Sequence, residues 1–192
     1  MRKETKDKGR RILRPVVLLF ARLGISPSSV TLAAIPLSLG AAFLFKYGFF
    51  PWAGIITGLV GLCDTIDGEL SRLTGKTSSA GAILDSTIDR LSEGIIFIGI
   101  AWYYLEINHI FVLMTLLASL FSFMVSYVRA RSEGVGRDCQ VGFFERPVRV
   151  VVLMFSAIVL GKRYFPFGVG LIFAGTLFTF VYRLLYVLRP KA

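Results

Sequence analysis

Acidic residues are scarce in this chain, with 12 Asp and Glu against 22 Lys and Arg over 192 residues. Cysteine and histidine are scarcer still: Cys63, Cys139 and His109 are the whole supply. Two cysteines cannot staple a disulfide scaffold or build a Cys-rich zinc module. Cys63 in an apolar run and Cys139 in a polar segment are expected to stay reduced and apart. A charged fraction of 18% excludes a charged disordered tail. No basic patch interleaved with aromatics is present, so the net charge of +10 does not read as a nucleic-acid surface. Internal repeats and low-complexity segments are also missing.

Apolar residues are abundant, at 55% of the chain with a mean hydropathy of +0.69, which implies an integral membrane protein. About 20 apolar residues cross a bilayer as a helix. Six stretches are placed as spans, at 29–48, 52–72, 81–104, 108–131, 146–161 and 166–188, the fifth being the shortest at 16 residues. The fold expected is therefore all-α, six transmembrane helices in one domain spanning 25–192, with a basic tail and juxtamembrane helix over 1–24. The second and third stretches carry charge and would score poorly on hydropathy alone.

The basic residues lie at the edges of the apolar runs. Arg2, Lys3, Lys6, Lys8, Arg10, Arg11 and Arg14 crowd the N-terminus, and Lys76, Arg137, Arg189 and Lys191 fall on the same side. The segments 47–51, 106–109 and 161–166 form the other side, with Lys162 and Arg163 as its main charges. The positive-inside rule then puts both termini in the cytoplasm, in the cell membrane. Over 10–24, Ile12, Val16, Leu19, Phe20 and Leu23 share a helical face mostly opposite Arg10, Arg11, Arg14 and Arg22, which predicts a helix lying on the cytoplasmic leaflet. A cleaved signal peptide is not expected, since the run 15–20 is short and no small-residue cleavage site follows. Trp52, Trp102, Tyr103 and Tyr104 at span ends suggest an aromatic belt, and His109 an interfacial loop residue.

Five of the 12 acidic residues, Asp64, Asp67, Glu69, Asp85 and Asp89, fall within 26 positions that otherwise read as two membrane helices. A lone mid-membrane Asp costs about 2.5 to 3.5 kcal/mol, so such a group must face a cation, a partner or a polar cavity. Asp64 and Asp67 are three apart and Asp85 and Asp89 four apart, so each pair shares a helix face. Two such faces joined by the short segment 73–80 make an all-oxygen cluster suited to Mg2+ or Mn2+. Carboxylate-held divalent ions are what phosphoryl transfer uses, which makes this a candidate for that reaction class. Gly68 allows a phosphate or ribose to approach the backbone, and Arg72 one turn on can fork onto phosphate.

The string CDTIDGELSRLTGKTSSAGAILDSTIDR resembles the signature of the CDP-alcohol phosphotransferase family, D-x2-D-G-x2-A-R-x7-9-G-x3-D-x3-D. Asp64, Asp67, Gly68, Arg72, Gly81, Asp85 and Asp89 are in register, and Ser71 stands where the family usually has alanine. GISPSSVTL resembles the family's Pro-Asn-x-x-Thr stretch near the nucleotide, with Pro27 and Thr31 matched and Ser28 in place of Asn. The resemblance implies a homodimeric six-helix bundle and a CDP-lipid donor, CDP-diacylglycerol or its ether-lipid counterpart. An acceptor hydroxyl would attack the β-phosphorus while CMP leaves. It implies that Asp64, Asp67 and Asp85 bind metal, two Mg2+ or Mn2+ ions per site, and that Asp89 binds metal or acts as general base. Asp64, Asp67, Gly68, Arg72 and Gly81, with Pro27 and Thr31, would line the CDP moiety.

The acceptor is read from arginines. Arg129 and Arg131 in SYVRARSEG, Arg146 in the ERPVR run and Arg183 inside the last apolar stretch lie on the side of the aspartates. An arginine cluster beside a metal site recognises a phosphorylated acceptor. SYVRARSE and ERPVR also resemble the matching stretches of prokaryotic phosphatidylinositol-phosphate synthases, which implies that Arg129, Arg146 and Arg183, with Arg131 in addition, hold the phosphate of L-myo-inositol 1-phosphate. Arg149 and Arg189 read as snorkelling helix-end charges. Glycerol 3-phosphate as acceptor stays open, as does CDP-inositol as donor, which normally comes with a cytidylyltransferase domain. From another class, a small cation transporter would use the aspartates as an ion path but gives Gly68, Arg72 and Gly81 no reason to stand at their spacings.

Overall fold

Helix starts here are written by residues that can serve the free N–H groups of a first turn. Ser26, Ser78 and Asn108 do so, their side-chain oxygens accepting from Ser29 N at 3.1 Å, Gly81 N at 3.0 Å and Ile110 N at 2.9 Å. Pro27, Pro51 and Pro147 occupy first turns, where a missing N–H costs nothing. The resulting elements are α1 (Lys3–Arg22), α2 (Pro27–Lys46), α3 (Phe50–Thr74), α4 (Ser79–Tyr104), α5 (His109–Gly134), α6 (Arg146–Phe155) and α7 (Gly161–Leu188). A π-helical turn, Ser156–Leu160, continues α6. This computed structural model describes residues 3–189, with side chains from residue 13 onward. Arg2 and Lys191, and the side chains of Lys3, Lys6, Lys8, Arg10, Arg11 and Ile12, lie outside the described residues. No strand occurs among the described residues.

The helices α2 to α7 close into a ring. Going round it, α2 packs on α4, α4 on α5, α5 on α7, α7 on α6 and its π turn, α6 on α3, and α3 back on α2. The α2–α4 crossing is close because Gly99 lies directly against the backbone of Ala42, where any Cβ would collide. At one end of the ring an apolar plug forms from Phe45, Phe50, Tyr104 and Phe165, with the Phe50 and Phe165 rings 4.7 Å apart. The acidic motif sits at the other end. Among the described residues three helical stretches, Pro27–Lys46, His109–Gly134 and the run Arg146–Leu188, are long and apolar enough to cross a membrane.

Several expectations shift. The segment 161–166, read as a connection, is the first part of α7; the reversal is made by Gly161 alone, at φ +63°. His109 opens α5 instead of lying in a loop. Tyr104 is 3% exposed and belongs to the apolar plug, so only Trp52, Trp102 and in part Tyr103 remain for an aromatic belt. The apolar face of α1 is divided: Val17, which the expected face omitted, is buried with Phe20 against Val30, Ile66 and Leu70, while Val16, Leu19 and Leu23 point outward.

Candidate active site

The last three turns of α3 and the first three of α4 supply the aspartates. These helices barely touch each other; α2 lies between them and contributes Thr31. Its hydroxyl donates to Asp67 Oδ2 at 2.5 Å and to the carbonyl of Pro27 at 3.1 Å, and Asp67 is buried. Asp64, Asp67 and Asp85 each offer a carboxylate oxygen, and the three atoms lie within 4.8 Å of one another. Two like charges at that distance repel by about 3 to 4 kcal/mol at an effective dielectric near 20, so the trio calls for a cation. Asp85 Oδ1 is buried and has no hydrogen-bond partner, as befits an oxygen reserved for a ligand. An all-carboxylate set fits Mg2+ or Mn2+ and disfavours soft metals.

Asp89 stands apart from this trio and meets Arg146 instead. Arg146 Nη1 is 2.8 Å from Asp89 Oδ1 and 3.2 Å from Asp64 Oδ2, so one guanidinium ties α6 to both α3 and α4.

Two polar cavities meet at Asp85. One, of about 300 Å3, is lined by Pro27, Thr31, Asp67, Gly68, Arg72 and Gly81, which brings together every residue expected around the CDP moiety except Asp64. A Cβ on Gly68 would point at the Arg72 guanidinium, 3.4 Å away, and Arg72 itself is paired with Glu69 at 2.8 Å. The other cavity, of about 420 Å3, is lined by Asp85, Asp89, Arg129, Arg146 and Arg183. A third, apolar groove of about 450 Å3 runs between α3 and α6, past Ile55, Leu62, Val151 and Met154, and ends at Asp64 and Arg146.

The arginines divide by what they hold. Arg183, 2% exposed, donates to the carbonyls of Val141 at 2.6 Å and Val125 at 2.8 Å, and from Nη2 to Glu145 at 3.2 Å. Arg129 is paired with Glu133 at 2.9 Å and stands 3.9 Å from Glu145. Arg131 is exposed and does not line the cavity. Arg149, read as a snorkelling charge, is instead 2% exposed and paired with Glu93; the partner lies 56 residues back and no local pattern announces it. Glu93, Glu145 and Arg90 were not assigned from the sequence. The only available signal was for Glu93, four positions after Asp89 on the same helical face.

A family model described as CDP-alcohol phosphatidyltransferase matches residues 24–181. The phosphatidylinositol phosphate synthase of Corynebacterium glutamicum is 33% identical over 181 residues, covering 90% of this chain and 82% of that protein. The Mycobacterium tuberculosis phosphatidylinositol phosphate synthase is 35% identical over 161 residues, covering 82% and 72%. The crystal structure of the M. tuberculosis protein with CDP-DAG bound superposes with a TM-score of 0.83 at 29% identity, covering 95% of this chain and 99% of that one. Another, in complex with manganese and citrate, gives 0.83 at 28% identity, covering 93% and 92%.

Proposed function

The chain belongs to the CDP-alcohol phosphatidyltransferase family, and from that membership we propose that it transfers a phosphatidyl-type group from a CDP-lipid to L-myo-inositol 1-phosphate and releases CMP. The observation that carries the reading is the meeting of two polar cavities at Asp85, one bounded by the signature residues and the other by arginines. A transferase for two anionic substrates needs this arrangement, with the reacting phosphorus at the seam. The relatives named above, phosphatidylinositol phosphate synthases, support the choice of acceptor.

In this reading the CDP pyrophosphate lies along Gly68 and Arg72, and the donor's lipid tails leave through the apolar groove between α3 and α6. Asp64, Asp67 and Asp85 would hold Mg2+ or Mn2+, with Asp89 as the further carboxylate for a second ion, and metal bound there would offset the charge of the pyrophosphate. Arg146 orients Asp89 through Oδ1, which leaves Oδ2 to take the proton of the acceptor hydroxyl. The acceptor's hydroxyl oxygen, its proton passed to Asp89, forms its bond to the β-phosphorus as the bond between that phosphorus and the CMP oxygen breaks. The acceptor phosphate rests on Arg146 and Arg129, and it replaces Glu145 at Nη2 of Arg183.

The same reading makes α2 to α7 six membrane passages, with α3 and α4 carrying their aspartates into the ring's polar end. Residues 1–24 form a juxtamembrane unit whose outward Val16, Leu19 and Leu23 rest in the leaflet, and 25–192 form the catalytic domain, with both termini and the site on the cytoplasmic side of the cell membrane. A homodimer is part of the proposal.

The test is CMP release by the purified protein with Mg2+ and CDP-diacylglycerol, against inositol 1-phosphate, glycerol 3-phosphate, inositol and serine. Turnover with inositol 1-phosphate alone, lost by about 100-fold or more in Asp89→Asn, is expected. Turnover only with glycerol 3-phosphate would refute the acceptor and keep the chemistry. CMP from no acceptor, ether-linked donor and CDP-inositol included, would refute both.

A further inference from the structure

Asp85, Asp89 and Glu93 recur at four-residue intervals, so α4 carries one stripe of three carboxylates. The first turn of α6 faces that stripe with Arg146 and Arg149. Arg146 Nη1 meets Asp89 Oδ1 at 2.8 Å, and one rung further in Arg149 forks onto Glu93, Nε to Oε1 at 2.6 Å and Nη2 to Oε2 at 2.7 Å. The remaining nitrogen of Arg149, Nη1, donates to the carbonyl of Phe144 at 2.9 Å, in the segment that enters α6. All three nitrogens of this guanidinium are therefore spent inside the protein, and the side chain is 2% exposed.

Arg146 is held quite differently. Its Nε is buried with no hydrogen-bond partner, and among the described residues its ion pairs are with the two reactive-site carboxylates alone. Nothing on its own side chain fixes it from behind. The packing of α6 on α3 brings Arg146 to Asp64, and the neighbouring rung is the buried side-chain link that ties the same turn of α6 to α4, beside Asp89.

We propose that the buried Arg149–Glu93 pair is a positioning element for the transfer reaction, fixing the first turn of α6 against α4 so that Arg146 faces both the carboxylates and the acceptor cavity. The proposal rests on the reading above that this cavity takes a phosphorylated acceptor. Arg149 borders the acceptor-side cavity, but with all three guanidinium nitrogens engaged by Glu93 and Phe144 it acts through Arg146.

The experiment replaces both partners at once, Glu93→Leu with Arg149→Met, because exchanging a buried pair for apolar residues avoids stranding one charge and preserves folding. In the purified full-length protein, the acceptor KM is expected to rise about tenfold or more while the donor KM stays within about twofold. Arg146→Ala is then made in both backgrounds. If the pair works through Arg146, that change costs much less in kcat/KM in the double variant than in the parent, by about tenfold. An unchanged acceptor KM, or an undiminished Arg146→Ala penalty, overturns the proposal. Should the double variant fail to fold, Arg149→Lys keeps the charge but loses the fork, and the same rise in acceptor KM over donor KM is required of it. The assay uses whichever phosphorylated polyol the unmodified protein turns over. A wrong acceptor thus shows in the unmodified protein, and a wrong positioning role shows in the variants alone.

Discussion

Thr31→Val removes one oxygen and keeps the side chain's shape, and its consequence separates two roles for α2. Thr31 lines the donor-side cavity, as expected of a nucleotide contact, yet its hydroxyl donates to buried Asp67 at 2.5 Å. A hydrogen bond to a charged group contributes about 1.5 to 3 kcal/mol, and its loss leaves the carboxylate oxygen unserved. At about 1.4 kcal/mol per tenfold, metal affinity should fall by roughly 10- to 100-fold, the range seen when an outer-shell partner of a ligand is removed. Mn2+ binding measured calorimetrically in the absence of donor reads this directly, and the Mg2+ dependence of CMP release reads it in turnover. Thr31→Ser keeps the hydroxyl and should restore most of the affinity. A Thr31→Val protein that binds Mn2+ as the parent does but shows a raised donor KM would refute the orienting role and return Thr31 to the nucleotide.

Two further substitutions probe the donor cavity and the helix crossing that frames it. Gly68→Val sends its branches toward Arg72 and into the donor-side cavity, so the donor KM should rise about tenfold with little change in the thermal midpoint; a folded variant with an unchanged donor KM would move the nucleotide elsewhere. Gly99→Val drives a side chain into the Ala42 backbone, and the overpacked α2–α4 crossing should lose about 1 to 3 kcal/mol or more. A melting curve matching the parent's would show that α2 and α4 cross less closely than described.

Much of the site was legible because its parts are local. The three- and four-residue spacings of Asp64, Asp67, Asp85 and Asp89 put each pair on one face whatever the helices do next, and Ser78 with Gly75 stops one helix and starts another between them. Charges at the end of α3, the start of α4, the end of α5, the start of α6 and the end of α7 must gather on one side if each helix reverses direction. Neighbour order round the ring is a different matter, since any apolar face can pack on any other. That α6 lies against α3, bringing Arg146 to Asp64, is settled by close fits such as Gly54 against Ala157 and Ile158, which hydropathy does not encode. The misreading of Arg149 has the same origin. An arginine at a helix start snorkels unless a carboxylate from a distant helix meets it, and only the closed ring, in which the first turn of α6 reaches α4 through this side chain, supplies Glu93. The turn at Gly161 escaped for an opposite reason: one residue with positive φ reverses the chain, so the six positions read as a loop were not needed, and Pro166 gives up a single N–H within the opening turns of α7. Local spacing thus specifies which atoms can do the chemistry, and the ring order of the helices decides which arginine stands beside them.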